Sequence, residues 1–196
     1  FFADLTYNIE SEGISWNPFE TNHLIMNING KDFLKIGFLL GVALENDSRS
    51  IISEDINNDG MVDLVVSTTR HHSYFIDGKF PDESIYIFKN NVKSATSNHW
   101  LGVILYPKAG GFHQAGTRIT VSTTDNKNYS KTLLNGDSFR SLHSNKIHFG
   151  LGDSGTIKQL QVTWPNGTTE TLENPETNNY YIFPLSTEHH QKLSLR

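Results

Sequence analysis

Short runs of apolar residues, separated by turn-forming residues, dominate this chain. Each run is rich in β-branched or aromatic residues, a pattern that predicts β-strands. The four clearest runs are residues 64–67, 85–88, 101–106 and 118–122. Helix is disfavoured, because fifteen glycines and many Asn, Ser and Thr residues interrupt the sequence. Only residues 32–44 have helical character, and Gly37 and Gly41 weaken it. We therefore predict an all-β protein.

A β-hairpin is predicted near the C-terminal end of the chain. Apolar and polar residues alternate strictly in residues 159–164, which places Leu160 and Trp164 on the same, buried face of a strand. Pro165-Asn166-Gly167 follows as a tight turn, and residues 168–172 form the returning strand. The alternation predicts that Trp164 belongs to a core.

The sequence also indicates how the chain is divided. An apolar strand that ends in Asn-rich sequence occurs at residues 23–29 and again at 85–91, which is a faint internal repeat. The small polar residues from 93 to 98 form the best candidate boundary. We predict three regions, namely residues 1–93, residues 98–184 and a polar tail at 185–196.

Composition narrows the classes of function. The 196 residues carry a net charge of −5 without a basic block, which argues against a nucleic-acid partner. The absence of cysteine excludes disulfides, thiolate metal sites and cysteine nucleophiles. The longest apolar run, residues 38–44, is far shorter than the roughly 20 residues that span a bilayer. Because the chain opens on Phe1, we expect a mature product or a fragment.

The sharpest chemical signal is the segment DINNDGMVD, residues 55–63, called the 55–63 loop below. Oxygen-bearing side chains occupy its positions 1, 3, 5 and 9, and glycine occupies position 6. This spacing folds a tight loop around a hard cation, and the number and type of oxygens favour Ca²⁺. The predicted ligands are Asp55, Asn57, Asp59, Asp63 and the main-chain carbonyl of Met61.

The loop has two alternative interpretations. An EF-hand requires a glutamate at position 12 and flanking helices, whereas position 12 is Val66 and a strand follows the loop directly. A solvated acidic turn without metal is the simpler alternative, since Asp, Asn and Gly are common turn formers. We expect a strand–loop–strand calcium site with a structural role.

These motifs resemble two known families. The loop and the strand after it resemble the calcium loop of FG-GAP/VCBS repeats, the blades of integrin-like β-propellers. The second half resembles the ASPIC/UnbV domain, which follows such repeats in the cartilage acidic protein-like family. Four blocks carry this second resemblance, namely residues 98–103, 116–121, 148–152 and 162–167. The resemblance implies a partial propeller with a calcium loop and a C-terminal β-sandwich. It also implies that the propeller blades are too few to close.

Several aromatic and histidine residues are candidates for ligand contact. Those singled out are Trp16, His71, His72 and His113. Trp16 lies in irregular sequence, where an exposed ring could stack on a sugar, and the histidines are placed on loops. The simpler alternative for the three histidines is that they are solvated loop residues. His99 and His148 lie at strand ends, and we expect structural roles for both.

No catalytic motif is recognisable, so a non-enzymatic function is expected. The leading hypothesis is a calcium-stabilised binding or structural module that is extracellular, periplasmic or on the cell surface. Its candidate partners are a glycan or an extracellular protein, in adhesion or matrix binding. One alternative is a carbohydrate-processing enzyme or accessory subunit with a site between the two halves. Another is a processed subunit that completes a larger assembly, with other chains supplying missing blades.

Overall fold

The computed structural model contains β-strands and no helix in the residues that it describes. These residues are 21–44, 46–69, 83–92, 98–106, 114–136, 138–184 and 192–193. The strands in chain order are β1 (Ile25–Ile28), β2 (Asp32–Lys35), β3 (Asp47–Glu54), β4 (Asp63–Thr69), β5 (Glu83–Phe88), β6 (His99–Leu105), β7 (Arg118–Thr123), β8 (Asn128–Thr132), β9 (Lys146–Gly152), β10 (Ile157–Thr163), β11 (Thr169–Glu173), β12 (Tyr180–Phe183) and β13 (Lys192–Leu193). The all-β prediction is confirmed.

The described residues divide into two compact units. The first unit contains those up to Arg49 and those from Val66 to Tyr86. The second contains residues 50–65 and those from Ile87 onward. The 55–63 loop therefore belongs to the same unit as β6 to β12, although the sequence placed it in a region that ends at residue 93. Sequence reasoning did not anticipate this grouping.

The second unit contains two four-stranded sheets. One has the strand order β11-β10-β7-β8, and its strands are all antiparallel. The other has the order β13-β12-β6-β9, in which β12 runs parallel to β6. The predicted hairpin is confirmed as β10 and β11, and the left-handed φ of 84° at Gly167 explains the glycine in its turn.

Both sheets contribute to one hydrophobic core. Buried side chains alternate with more exposed ones along β7 and β10, as expected when one face of a sheet is covered. The core residues of the two sheets are Leu101, Val103, Leu105, Ile119, Val121, Ile147, Phe149, Leu151, Ile157, Leu160, Val162, Tyr181 and Phe183. Trp164 joins the same cluster, as predicted. Two sheets that share a core have the arrangement of a β-sandwich.

The N-terminal strands form smaller sheets. β1 and β2 pair as a hairpin whose strand residues are all exposed, among them Phe33 and Leu34. β3, β4 and β5 form a three-stranded sheet in that order. Residues 32–44 form β2 and a series of turns, so their helical character is not realised. No closed propeller is described for these strands, and the propeller assignment stays a prediction.

The parallel pair β6–β12 depends on a close approach between two residues. Gly102 lies opposite Tyr180, and a Cβ atom on Gly102 would stand 2.0 Å from the Tyr180 ring. Both residues are buried. A side chain at position 102 would therefore displace Tyr180.

We predict that Gly102→Ala destabilises the second unit by about 1–3 kcal/mol, the usual cost of overpacking a core. Gly150→Ala is the matched control, because Gly150 lies in the neighbouring strand β9 and a methyl group at that position would have no neighbour within 4 Å. Chemical denaturation of the two variants measures both effects. Equal stability of the two variants would contradict the close approach.

Candidate functional site

Asp55, the first residue of the 55–63 loop, has a fully buried carboxylate with several donors. Oδ1 accepts a hydrogen bond from the main-chain N–H of Asp59 at 3.0 Å. Oδ2 accepts one from the N–H of Gly60 at 2.8 Å and one from the Tyr180 hydroxyl at 2.6 Å. A buried carboxylate is stable only when it is compensated in this way.

Asp63 closes the other end of the loop and is also buried. Its Oδ2 accepts a hydrogen bond from the Ile56 N–H at 3.1 Å, which ties the end of the loop to its beginning. Its Oδ1 accepts one from the Asn90 N–H at 2.7 Å. The Asn90 side chain in turn donates to the Val62 carbonyl at 3.2 Å. The residues after β5 are thereby attached to the loop.

The middle of the loop is more exposed. The Asn57 amide donates to Asp59 Oδ2 at 2.8 Å, and the Met61 N–H donates to Asp59 Oδ1 at 2.9 Å. Slight burial raises the pKa of Asp59, but these two bonds and the charge of Lys89 outweigh it, so the pKa is lowered overall. Asp59 is therefore an anion at neutral pH.

Gly60 allows the loop to lie against an aromatic ring. Its φ of 87° is in the left-handed region that favours glycine. A Cβ atom there would stand 2.0 Å from Nε1 of Trp100. The Trp100 ring also stacks on His148, with centroids 5.4 Å apart, and tilts against Tyr180 at 4.9 Å. The glycine of the motif is thus required by the tertiary packing as well as by the turn.

Lys146, the first residue of β9, supplies a positive charge beside the loop. Its ammonium donates to the Asp55 carbonyl at 2.7 Å and to Asn58 Oδ1 at 2.5 Å. It also lies 3.9 Å from the Glu54 carboxylate and 5.1 Å from the centre of the Tyr180 ring. Lys146 is mostly buried by these contacts, so its charge acts in a partly desolvated environment.

Hydrogen bonds from the segment before β9 hold the strand that leads into the loop. Ser138 donates to the Ile51 carbonyl at 2.9 Å, and the Ser144 hydroxyl donates to Glu54 at 2.6 Å. Both acceptors are in the second half of β3. The loop is therefore anchored at its base as well as at Asp55.

His148 lies inside β9, not at a strand end as predicted, and its ring packs against Trp100. Its ring is half-buried against Trp100, and no donor or acceptor in the described part of the chain reaches its Nδ1. Burial lowers the pKa of His148; Asp55 opposes this shift, whereas Lys131 and Lys146 reinforce it. The neutral imidazole is consequently the form that fits this packing.

The loop offers carboxylate, amide and carbonyl oxygens, which are the ligands that a hard cation prefers. Among the described residues, however, no three carboxylate or imidazole side chains are placed to hold an ion by themselves. An ion would need neutral oxygens from Asn57 and Met61 beside the carboxylates, which agrees with the mixed oxygen ligands of Ca²⁺. A carboxylate offers about four lone-pair sites, so Asp55 and Asp63 retain acceptor capacity beyond their present bonds.

Four other residues were predicted to contact a ligand. Trp16, His71, His72 and His113 lie outside the described residues, and their proposed role in ligand contact stays a prediction. His99 is described, and its Nδ1 lies 3.4 Å from both the Thr177 hydroxyl and the Asn178 amide.

Residues 111–191 match the ASPIC and UnbV family. The ASPIC and UnbV match includes β7 to β12 and so confirms that part of the sequence-based resemblance. It does not reach the 55–63 loop, and the FG-GAP/VCBS resemblance stays a prediction. No curated protein matches the chain.

Sequence reasoning identified the loop but missed the residues that hold it. Tyr180 and Lys146 lie in the ASPIC and UnbV range, 125 and 91 positions away from Asp55. No local pattern marks either residue, because both read as ordinary strand positions. The pairing of β12 and β9 with β6 is what brings Tyr180 and Lys146 to the loop.

The lowered pKa of His148 predicts a pH dependence of stability. Because the unfolded chain holds a histidine with a pKa of about 6.5, it binds the proton more tightly than the folded chain does. Stability is therefore lost as the pH falls through about 6.5 toward the folded pKa. His148→Phe keeps an aromatic ring against Trp100 and cannot be protonated, so its loss of melting temperature between pH 7.5 and 5.5 should be smaller.

His23→Phe is the control, since His23 is an exposed residue of the first unit. Thermal melts at several pH values test the prediction. A profile of His148→Phe that is parallel to the wild-type profile would show that His148 does not contribute.

Proposed function

We propose that this protein is a calcium-stabilised, non-enzymatic binding or structural module of an extracellular, periplasmic or cell-surface protein. The observation that carries the proposal is the buried carboxylate of Asp55, which links the 55–63 loop to the β13-β12-β6-β9 sheet of the second unit. The ASPIC and UnbV match agrees with a module of this type. Candidate partners remain a glycan or an extracellular protein.

Electrostatics support a structural role for a cation. Three carboxylates share a loop of nine residues, and two of them are buried. Lys146 and Lys89 lie beside the loop, with Lys89 3.7 Å from Asp59, but Glu54 adds a further negative charge near Lys146. A divalent ion would reduce the repulsion that remains among these carboxylates. Calcium coordination would therefore stabilise the folded form, to which the ion binds in preference.

A structural cation and two sheets with a common core are sufficient for a rigid scaffold on which loops carry recognition. The described residues contain no helix that is long and apolar enough to cross a membrane. The described part of the chain gives no second functional site that competes with the loop, and a binding role is the function that we assign.

We predict that calcium raises the melting temperature of the protein and that Asp59→Ala abolishes this shift. With a dissociation constant of about 10⁻⁴–10⁻³ M, as in extracellular modules, about 10 mM calcium should add about 1.4–2.7 kcal/mol of stability. Differential scanning calorimetry over a calcium titration measures the shift and returns the affinity.

Asp153→Ala provides the matched control for charge, since Asp153 is an exposed aspartate of the same unit that pairs with Lys127. It should respond to calcium as the wild type does. An unchanged melting temperature of the wild type in calcium, or an equal shift in Asp59→Ala, would refute the calcium site.

The binding role itself is tested on purified protein. We expect the protein to bind at least one class of ligand, either an immobilised glycan or an immobilised extracellular matrix protein, when calcium is present. Its binding should be weaker after calcium is chelated. Asp59→Ala should lose the calcium dependence. If the protein binds none of these ligands in the presence of calcium, the result would count against a recognition function for the module.

A further inference from the structure

We infer that Tyr180 of β12 is a positioning residue of the 55–63 loop, so that the loop and the β13-β12-β6-β9 sheet form a single cation-responsive unit. This inference rests on the calcium site of the proposed function. The conformation of the loop would then depend on a residue that is 125 positions away from Asp55 in sequence.

The first step is the hydrogen bond between Tyr180 and Asp55. The hydroxyl donates to Asp55 Oδ2 at 2.6 Å, and both side chains are buried. Gly60 N–H donates to the same oxygen at 2.8 Å. With both donors on Oδ2, and with one N–H on Oδ1, the carboxylate is fixed in one rotation.

The second step is that Tyr180 itself cannot move. Its ring packs directly against the backbone of Gly102. A Cβ atom added to Gly102 would be 2.0 Å from the ring. Trp100 lies against another part of the ring, at 4.9 Å between centroids, and the Lys146 ammonium stands 5.1 Å from its centre. Because the core holds the ring on these sides, the hydroxyl position is fixed by the sheet.

The third step concerns the direction of this hydrogen bond. The Tyr180 hydroxyl supplies the proton, and the Asp55 carboxylate offers only acceptor oxygens, so Tyr180 is the donor. Asp55 is the first predicted cation ligand, and an outer partner of this kind orients a ligand and adjusts its affinity.

The test compares Tyr180→Phe with Tyr181→Phe. Tyr181 is the next residue of β12, is also buried, and its hydroxyl makes two hydrogen bonds with the main chain of Glu176, away from the loop. Both variants lose one buried hydroxyl, so both should lose stability. Only Tyr180→Phe should weaken calcium binding, by about tenfold or more, measured by isothermal titration with calcium chloride.

A second readout needs no metal. In metal-free protein the amide hydrogens of Asp59 and Gly60 are held by Asp55. Their exchange with solvent should accelerate in Tyr180→Phe and stay at the wild-type rate in Tyr181→Phe. Hydrogen-exchange NMR measures these amides one by one.

The outcomes separate this inference from the calcium proposal. Unchanged calcium affinity and unchanged exchange in Tyr180→Phe, or equal changes in both variants, would overturn the positioning role. If wild-type protein binds no calcium, the calcium proposal fails. In that case faster exchange in Tyr180→Phe alone still supports the positioning of the loop by Tyr180, and unchanged exchange refutes it.

Discussion

The buried carboxylate of Asp55 is the constraint on which the arrangement of the second unit depends. A buried anion costs several kcal/mol unless donors surround it. Here the donors are two main-chain amides of the loop and the hydroxyl of Tyr180. One of the three donors to Asp55 comes from β12. The hydrogen bond therefore couples a turn of nine residues to a sheet formed much later in the chain.

The surrounding contacts follow from that coupling. Gly60 must be small because Trp100 covers the loop, and Gly102 must be small because Tyr180 covers β6. Both glycines are therefore needed for packing, and Gly60 is needed for its left-handed φ as well. Lys146 places a positive charge beside the loop and donates to the Asp55 carbonyl and to Asn58. A cation in the loop would act on the same network of contacts with the β13-β12-β6-β9 sheet.

Much of the fold was predictable because its signals are local. Alternation along β10 and the turn at Gly167 predicted the hairpin, and β-branched runs predicted β4, β6 and β7. The oxygen-bearing residues of the 55–63 loop were also predictable from their spacing, because a tight turn brings residues that are close in sequence close together in space. The grouping of the loop with the C-terminal sheets was not predictable, because Tyr180 and Lys146 carry no local sign of their partners.

The sequence by itself determined the strand content, the buried faces of the strands and the oxygen-rich character of the 55–63 loop. Each of these depends on residues close together in the chain, where periodicity and turn chemistry decide the conformation. Only the tertiary structure decided that the loop belongs to the second unit and that Tyr180 holds Asp55. That choice required the parallel pairing of β12 with β6 and the packing of Trp100, which are contacts between distant segments that no local pattern encodes.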